Sequence, residues 1–224
     1  MTIRSLLMSA ALLVAGAGSG LAVQGPARPA VEVAGALQAK YDTVKDFSAD
    51  FVQTYEGGVL RKKAVERGVV LVKKPGRMRW EYQNPEKKVF VSDGRKMYLH
   101  EVRANQVTVF DVPRTDEAAT AALFLAGKGH LTRDFNVSYS DGGGPDTYAL
   151  RLQPKTRERD YDWLVVVVDR KTLQIRSLSA VDNQGGRQTF QFSRLRENIG
   201  VPDRTFDFQI PRGADVIRSD SNGR

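Results

Sequence analysis

Residues 69–101 read VVLVKKPGRMRWEYQNPEKKVFVSDGRKMYLHE, and they set the fold class. Val69 to Val72 is an apolar run that closes on Lys73, Lys74 and Pro75. From Arg77 to Tyr82 the residues alternate strictly, with Met78, Trp80 and Tyr82 on one parity and Arg77, Arg79 and Glu81 on the other. A period of two marks a strand with one apolar and one wetted side. Pro85 breaks the run, Val89 to Val91 starts again, and Asp93-Gly94 supplies a tight turn into Lys96 to His100. The stretch therefore predicts four short strands in series. The Met-Trp-Tyr side must cover either an ordinary core or a cavity.

Working outward, Val33, Leu37, Tyr41 and Val44 recur at helical spacing within Val31 to Lys45 and predict one amphipathic helix. Phe47 to Tyr55 alternates, with Phe47, Ala49, Phe51, Gln53 and Tyr55 on one parity, and Gly57-Gly58 turns the chain. Val59 to Arg67 is a charged strand or hairpin arm leading into the Val69 run, and Val107 to Val112 alternates before Pro113. Thr115 to Lys128 differs in kind: Thr115 can cap, Asp116 and Glu117 suit a helix start, and Gly127 suits its end. Apolar residues surround almost the whole turn at Leu123-Phe124-Leu125, so that helix must be buried on more than one side. Strands follow at Phe135–Ser140, Thr147–Leu152, Trp163–Asp169, Leu173–Asn183 and Arg187–Leu195, with a short last one at Thr205–Ile210 before a polar tail. The sum is roughly eleven strands with two helical interruptions, a single curved antiparallel meander.

Composition limits the chemistry. Cysteine is absent from the 224 residues, which removes disulfides, zinc-thiolate sites and thiol nucleophiles. Arg4, the apolar run Leu6 to Ala17 and the small residues through Ala22 describe a secretory leader, with cleavage after Gly20-Leu21-Ala22 preferred over Ala17. The domain expectation is thus a signal peptide over 1–22 and one domain over 23–224. Loss of Arg4 with the leader lowers the net charge from +8 to +7. Export argues against nucleic acid as the partner of that charge, and the basic residues are scattered across strand faces.

Catalytic constellations are not legible. His100 and His130 have no serine or metal-ligand spacing around them, and Asp160 and Asp162 straddle Tyr161 before a strand, as turn residues do. Gly142-Gly143-Gly144-Pro145 lies between strands rather than before a helix, so it is no phosphate loop. Asn136-Val137-Ser138 matches a glycosylation triplet inside an expected strand. No catalytic residue, metal or cofactor is assigned. Binding remains, by a filled core or by a greasy cavity under a lid. About eight strands already enclose room for a small ligand, so a larger curved sheet needs something more to fill it.

The order of features resembles the outer-membrane lipoprotein carrier family, LolA. The residues that carry the resemblance are Phe47-Ser-Ala-Asp-Phe51-Val-Gln53, Gly68 to Lys74-Pro75, Arg79-Trp80-Glu81-Tyr82 with Pro85, and Val91-Ser92-Asp93-Gly94. The apolar helix at Ala121 to Ala126 and Ser179-Ala180-Val181-Asp182 continue it. The resemblance implies a mainly β fold, an incomplete (half-open) antiparallel β-barrel of about eleven strands whose concave face is covered by α-helices. It implies a monomeric periplasmic carrier that takes acylated lipoproteins from an inner-membrane ABC transporter to an outer-membrane receptor where one is present. Phe47, Phe51, Met78, Trp80, Tyr82, Leu123 and Phe124 would then line the cargo site. In the family an arginine before the proline ties the lid to the sheet through backbone carbonyls. Here Lys74 stands at that place, and lysine lacks the planar fork of a guanidinium. Lys74 is therefore the expected lid-closing residue, with Arg77 or Arg79 as the substitute. Lipid or glycolipid carriers and envelope stress sensors on the same half-barrel are the alternatives.

Overall fold

The computed structural model describes residues 28–57, 63–112, 125, 127, 129–158 and 161–219. The signal-peptide expectation, Asp160 and most of the helix expected over Thr115 to Lys128, Leu123 and Phe124 included, lie outside them.

Helix α1 (Ala30–Asp42) is followed by β1 (Asp46–Glu56), the longest of the central strands together with β2 (Lys63–Lys73) and β11 (Arg187–Glu197). Between β2 and β11 come β3 (Arg77–Asn84), β4 (Lys88–Asp93), β5 (Lys96–Glu101) and β6 (Gln106–Asp111). A four-residue helix α2 (Leu131–Asp134) leads into β7 (Phe135–Tyr139), β8 (Thr147–Pro154), β9 (Trp163–Asp169) and β10 (Ile175–Val181). A 3₁₀ turn, Asp203–Phe206, precedes β12 (Asp215–Ser219). The twelve strands form one open sheet in the order β12-β6-β5-β4-β3-β2-β1-β11-β10-β9-β8-β7.

The mainly β, half-open architecture is as expected, with three differences of detail. First, the described part of the charged arm, 63–67, and Val69–Val72 are one strand and not two elements. Gly68 carries the chain straight on, so Lys63–Lys73 pairs with β1 over its whole length, from Asp46↔Lys73 to Glu56↔Lys63. Second, the sheet is two antiparallel meanders, β1–β6 and β7–β11, joined where β1 pairs with β11. Third, Thr205–Ile210 is not a strand. Phe206 packs against β3 and β4 and is 1% exposed, and Phe208 stacks on Tyr98 of β5 at 5.1 Å, so this segment lies across the outer sheet face instead of along its edge. The last strand falls in the stretch read as a polar tail: β12 runs parallel to β6, guided there by Asn105, which accepts from the Asp215 N–H at 2.9 Å and donates to the Gly213 carbonyl at 2.9 Å.

Two faces follow from the pairing register. Phe47↔Val72↔Met78 and Ala49↔Val70↔Trp80 are rows on the inner face, and every one of these residues is buried. The same core takes in Val33, Ala34, Leu37 and Tyr41 of α1, Leu150 and Leu152 of β8, and Leu164, Val166 and Val168 of β9. One continuous core reaching from β3 to β8 and onto one helix means that the sheet wraps around α1. Val33 and Leu37 are fully buried, each a gain of about 1.5–3 kcal/mol relative to exposure. The outer face carries Arg77, Arg79 and Glu81, and towards β6 it buries Val91, Val107 and Val109.

Gly68 is required by this packing. A Cβ there would stand 1.9 Å from the Glu81 carbonyl oxygen and 3.0 Å from the Phe51 ring, at a point where the β2–β3 register shifts. Phe51 fills the side-chain space that the glycine leaves open. Gly68→Ala is expected to cost about 2–3 kcal/mol by overpacking, read as a lower urea midpoint at unchanged slope.

Candidate functional site

On the inner face of β1–β3 and β11, five aromatic rings pack against one another. Phe51 meets Trp80 edge-on at 4.9 Å and Tyr82 edge-on at 5.0 Å. Phe190 lies 5.0 Å from Trp80 and 6.3 Å from Phe51, and Phe192 lies 6.3 Å from Trp80. Met78 sits alongside, its sulfur accepting from the Trp80 Nε1–H at 3.4 Å. The structure thus brings together Phe47, Phe51, Met78, Trp80 and Tyr82, five of the seven residues that sequence reasoning assigned to cargo, while Leu123 and Phe124 lie outside the described residues. Their neighbour Leu125 is helical, 1% exposed and part of the same core.

Sequence reasoning missed Phe190 and Phe192. Their signal was present: Thr189-Phe190-Gln191-Phe192-Ser193 has the same period of two as the opening stretch. Also unassigned were Phe90, Met97, Leu99 and Phe110, which continue the inner face across β4–β6 through the register Trp80↔Phe90↔Leu99 and Met97↔Phe110. These four are only half-buried. The apolar face therefore runs on beyond the closed core.

Over β1–β3 the residues of that face, Phe51, Val70, Met78 and Trp80 among them, are buried. The space bounded by Tyr41, Phe47, Leu125, Ile175 and Phe192 is a cavity of about 10 Å³. One water needs about 10–15 Å³, whereas a bound organic ligand occupies roughly 300–1,000 Å³. A space of that size holds no acyl chain, so a guest entering there must displace side chains.

Polar groups close the two ends of the trough. At one end the Tyr82 hydroxyl donates to Gln53 Oε1 at 2.7 Å, and Lys88 stands 4.2 Å over the Tyr82 ring while bonding both Glu66 oxygens at 2.7 and 2.8 Å. Burial together with the Glu66 charge raises the Tyr82 phenol well above its ordinary pKa, so it stays a donor. At the other end stands Lys74, in the turn between β2 and β3. Its ammonium donates to the backbone carbonyl of Tyr41 at the end of α1 and lies 4.2 Å over the Tyr41 ring. Burial lowers the Lys74 pKa, and the nearby Asp42 carboxylate opposes that shift. Tyr41 in turn donates its hydroxyl to the backbone carbonyl of Leu125. Gly127, at φ +79°, lies so close to the Lys74 stem that a Cβ there would meet the lysine Cδ at 2.4 Å.

The arginines sit elsewhere. Arg79 projects from the outer side of β3, where its Nε is 2.6 Å from Glu81. Arg77 is 2.8 Å and Lys73 2.5 Å from Asp203, pairs that hold the C-terminal crossing segment to the outer face. His100 lies against Phe208, and His130 caps α2 by accepting from the Arg133 N–H. Among the described residues no group of His, Asp and Glu is placed to hold a metal ion, and no helix is long and apolar enough to cross a membrane.

The family model for the outer membrane lipoprotein carrier protein LolA matches residues 42–209. The chain is similar to an outer-membrane lipoprotein carrier protein of Chromohalobacter salexigens, 33% identical over 81% of this chain and 85% of the relative. It is also similar to one of Methylibium petroleiphilum, 35% identical over 79% of this chain and 88% of the relative. Among solved structures, an uncharacterized conserved protein from Thermus thermophilus shares the fold, with a TM-score of 0.51 and 11% identity over 84% of this chain and 98% of that one. The aromatic inner face, the open sheet wrapped on α1 and the match across 42–209 converge on one assignment: this chain belongs to the outer membrane lipoprotein carrier family, LolA.

Proposed function

We propose that this protein is an exported, non-enzymatic carrier that covers the acyl chains of lipoproteins on their way across the periplasm. It would receive them from an inner-membrane ABC transporter and pass them to the outer membrane, through a receptor where one is present. The observation that carries the reading is the apolar inner face, buried in its centre and half-exposed across Phe90, Met97, Leu99 and Phe110, in a chain of this family. The N-terminal leader pattern supports export.

The physics of cargo handling agrees with this arrangement. At about 0.8 kcal/mol per methylene, exposing one chain of about fifteen methylenes to water costs roughly 12 kcal/mol. A carrier must offset most of that and still let go. A face that closes on itself does both: its own side chains and α1 compete with the guest for Phe51, Trp80 and Phe190. The cargo surface would be Phe47, Phe51, Met78, Trp80 and Tyr82, with Leu123 and Phe124 contributed by the segment above them, and Lys74 would hold that segment down.

Two outcomes test this. Incubated with spheroplasts, the purified protein is expected to bring outer-membrane lipoproteins into the supernatant as soluble complexes. Copurification of phospholipid with no released lipoprotein would point instead to a lipid carrier on the same fold. Lys74→Leu removes a hydrogen bond from a charged donor, an interaction of about 1.5–3 kcal/mol, and is expected to shift the protein towards the open form and raise uptake of an apolar fluorescent dye. Unchanged dye binding in a folded variant would remove Lys74 from the closing role.

A further inference from the structure

We propose that a groove on the outer face of the sheet, where β1, β2 and β11 meet, docks an acidic segment of a partner protein that carries an apolar side chain. The groove lies on the face opposite the aromatic cluster, so its use is independent of what that cluster holds.

The outer face is unevenly covered. Phe206 packs against β3 and β4, Phe208 stacks on Tyr98 of β5, and the outer-face residue Val91 is fully buried. The same rows run on to β1 through Arg79↔Leu71↔Ser48 and Glu81↔Val69↔Asp50. There Val69 and Leu71 are only half-buried, and they floor a groove of about 630 Å³. That volume falls within the roughly 300–1,000 Å³ of binding clefts.

Both walls of the groove are held by unusual backbone. Arg194 adopts φ +50° next to the shift in the β1–β11 register, and Asn198 adopts φ +55°. Asparagine tolerates the left-handed region, whereas an arginine is seldom found there, and a bulge re-aims the side chains beside it. The Arg194 guanidinium pairs with Asp50 yet is 81% exposed. In the other wall, the carboxylate of Asp46 accepts from the Ile199 N–H at 2.7 Å and the Gly200 N–H at 3.0 Å. The Asp46 carbonyl accepts from the Asn198 N–H at 2.7 Å. Asp46 itself is buried, which its charge permits only with such bonds made. This frame fixes a loop whose Ile199 stands 44% exposed beside Val69 and Leu71. Backbone strain and a buried carboxylate together thus hold an aliphatic side chain out in water.

Charge selects the occupant. Arg194 and Arg196 line the groove against a single carboxylate, Asp50. Arg196, in the row Arg196↔Ser48↔Leu71, pairs with no carboxylate among the described residues, and neither does Arg67 on the same face of β2. A guanidinium fork fits a carboxylate with two parallel hydrogen bonds. Carboxylates of the partner would engage Arg196 and compete with Asp50 for Arg194, while an apolar side chain rests on Val69, Leu71 and Ile199.

The test uses the protein over residues 23–224 and a short dye-labelled synthetic peptide of aspartate and glutamate interspersed with leucine. Fluorescence anisotropy is expected to show saturable binding, with amide shifts in NMR spectra confined to 48–50, 69–71 and 194–200. Arg196→Glu is expected to weaken binding about tenfold, and Ile199→Ser about fivefold. Both side chains are exposed, so an unchanged urea midpoint should confirm the fold of each variant. Arg103→Glu, in the β5–β6 turn, should stay within about twofold of the parent. Replacing the peptide's leucines by serine should weaken binding about fivefold. The proposal is overturned if the peptide does not bind saturably, if the shifts fall elsewhere, or if Arg103→Glu weakens binding as much as Arg196→Glu. Self-association abolished by Ile199→Ser would replace the partner with a second copy of the chain. Binding to phosphatidylglycerol vesicles that needs Arg196, without binding of the peptide, would replace it with a membrane surface.

Discussion

Phe51 lies where the two halves of the sheet meet, and its packing sets most of what surrounds it. From β1 it reaches Trp80 and Tyr82 on one side and Phe190 on the other, with ring centroids 4.9, 5.0 and 6.3 Å away. That is possible because β1 pairs with β2 and β11 at once and because Gly68 leaves the space opposite Phe51 open. Edge-on aromatic contacts of this kind add about 0.5–1.5 kcal/mol each beyond the area they bury. The two meanders thus share one apolar face, and the sheet can wrap α1 without closing into a barrel.

A face of this composition cannot stay uncovered in water, and in a carrier it cannot stay covered for good. The molecule meets these opposed demands by burying the centre of the face while leaving its β4–β6 end half-exposed. It then places its few polar ties at the rim. The Tyr82–Gln53 and Lys88–Glu66 pairs close one end, and the Lys74–Tyr41–Leu125 chain closes the other. Ties of this sort are worth one or a few kcal/mol each. That is small beside the burial of an acyl chain, so a guest can break them, and large enough to favour reclosure when the guest leaves.

Much of this was legible in the residues. The alternation of Arg77 to Tyr82 assigned Trp80 inward and Arg79 outward, because a period of two leaves no other choice once one face is buried. Helical spacing placed Tyr41 on the covered side of α1. The expected strand at Thr205–Ile210 went wrong for a reason that local pattern cannot reveal: Phe206 and Phe208 find partners on the outer face of β3–β5, a surface that exists only after the meander has formed. The partnership of β1 with β11 was equally hidden, since it joins residues about 140 apart in the chain and depends on both meanders. The hydrogen bonds that link Tyr41 to Leu125 and to Lys74 join residues far apart in the chain and were hidden in the same way.

The central claim is that the inner aromatic face is the surface that holds acyl chains, and Trp80 can report on it directly. The chain has two tryptophans: Trp80 is buried among the inner rings, and Trp163 lies beneath the guanidinium of Arg151 at 4.1 Å. In a Trp163→Phe variant, Trp80 is the sole indole emitter. Titration with a triacylated lipopeptide carrying brominated acyl chains should quench that emission saturably, whereas the non-brominated lipopeptide should bind without quenching. Binding of the brominated lipopeptide that leaves Trp80 emission unquenched would contradict the account and place the cargo elsewhere on the protein.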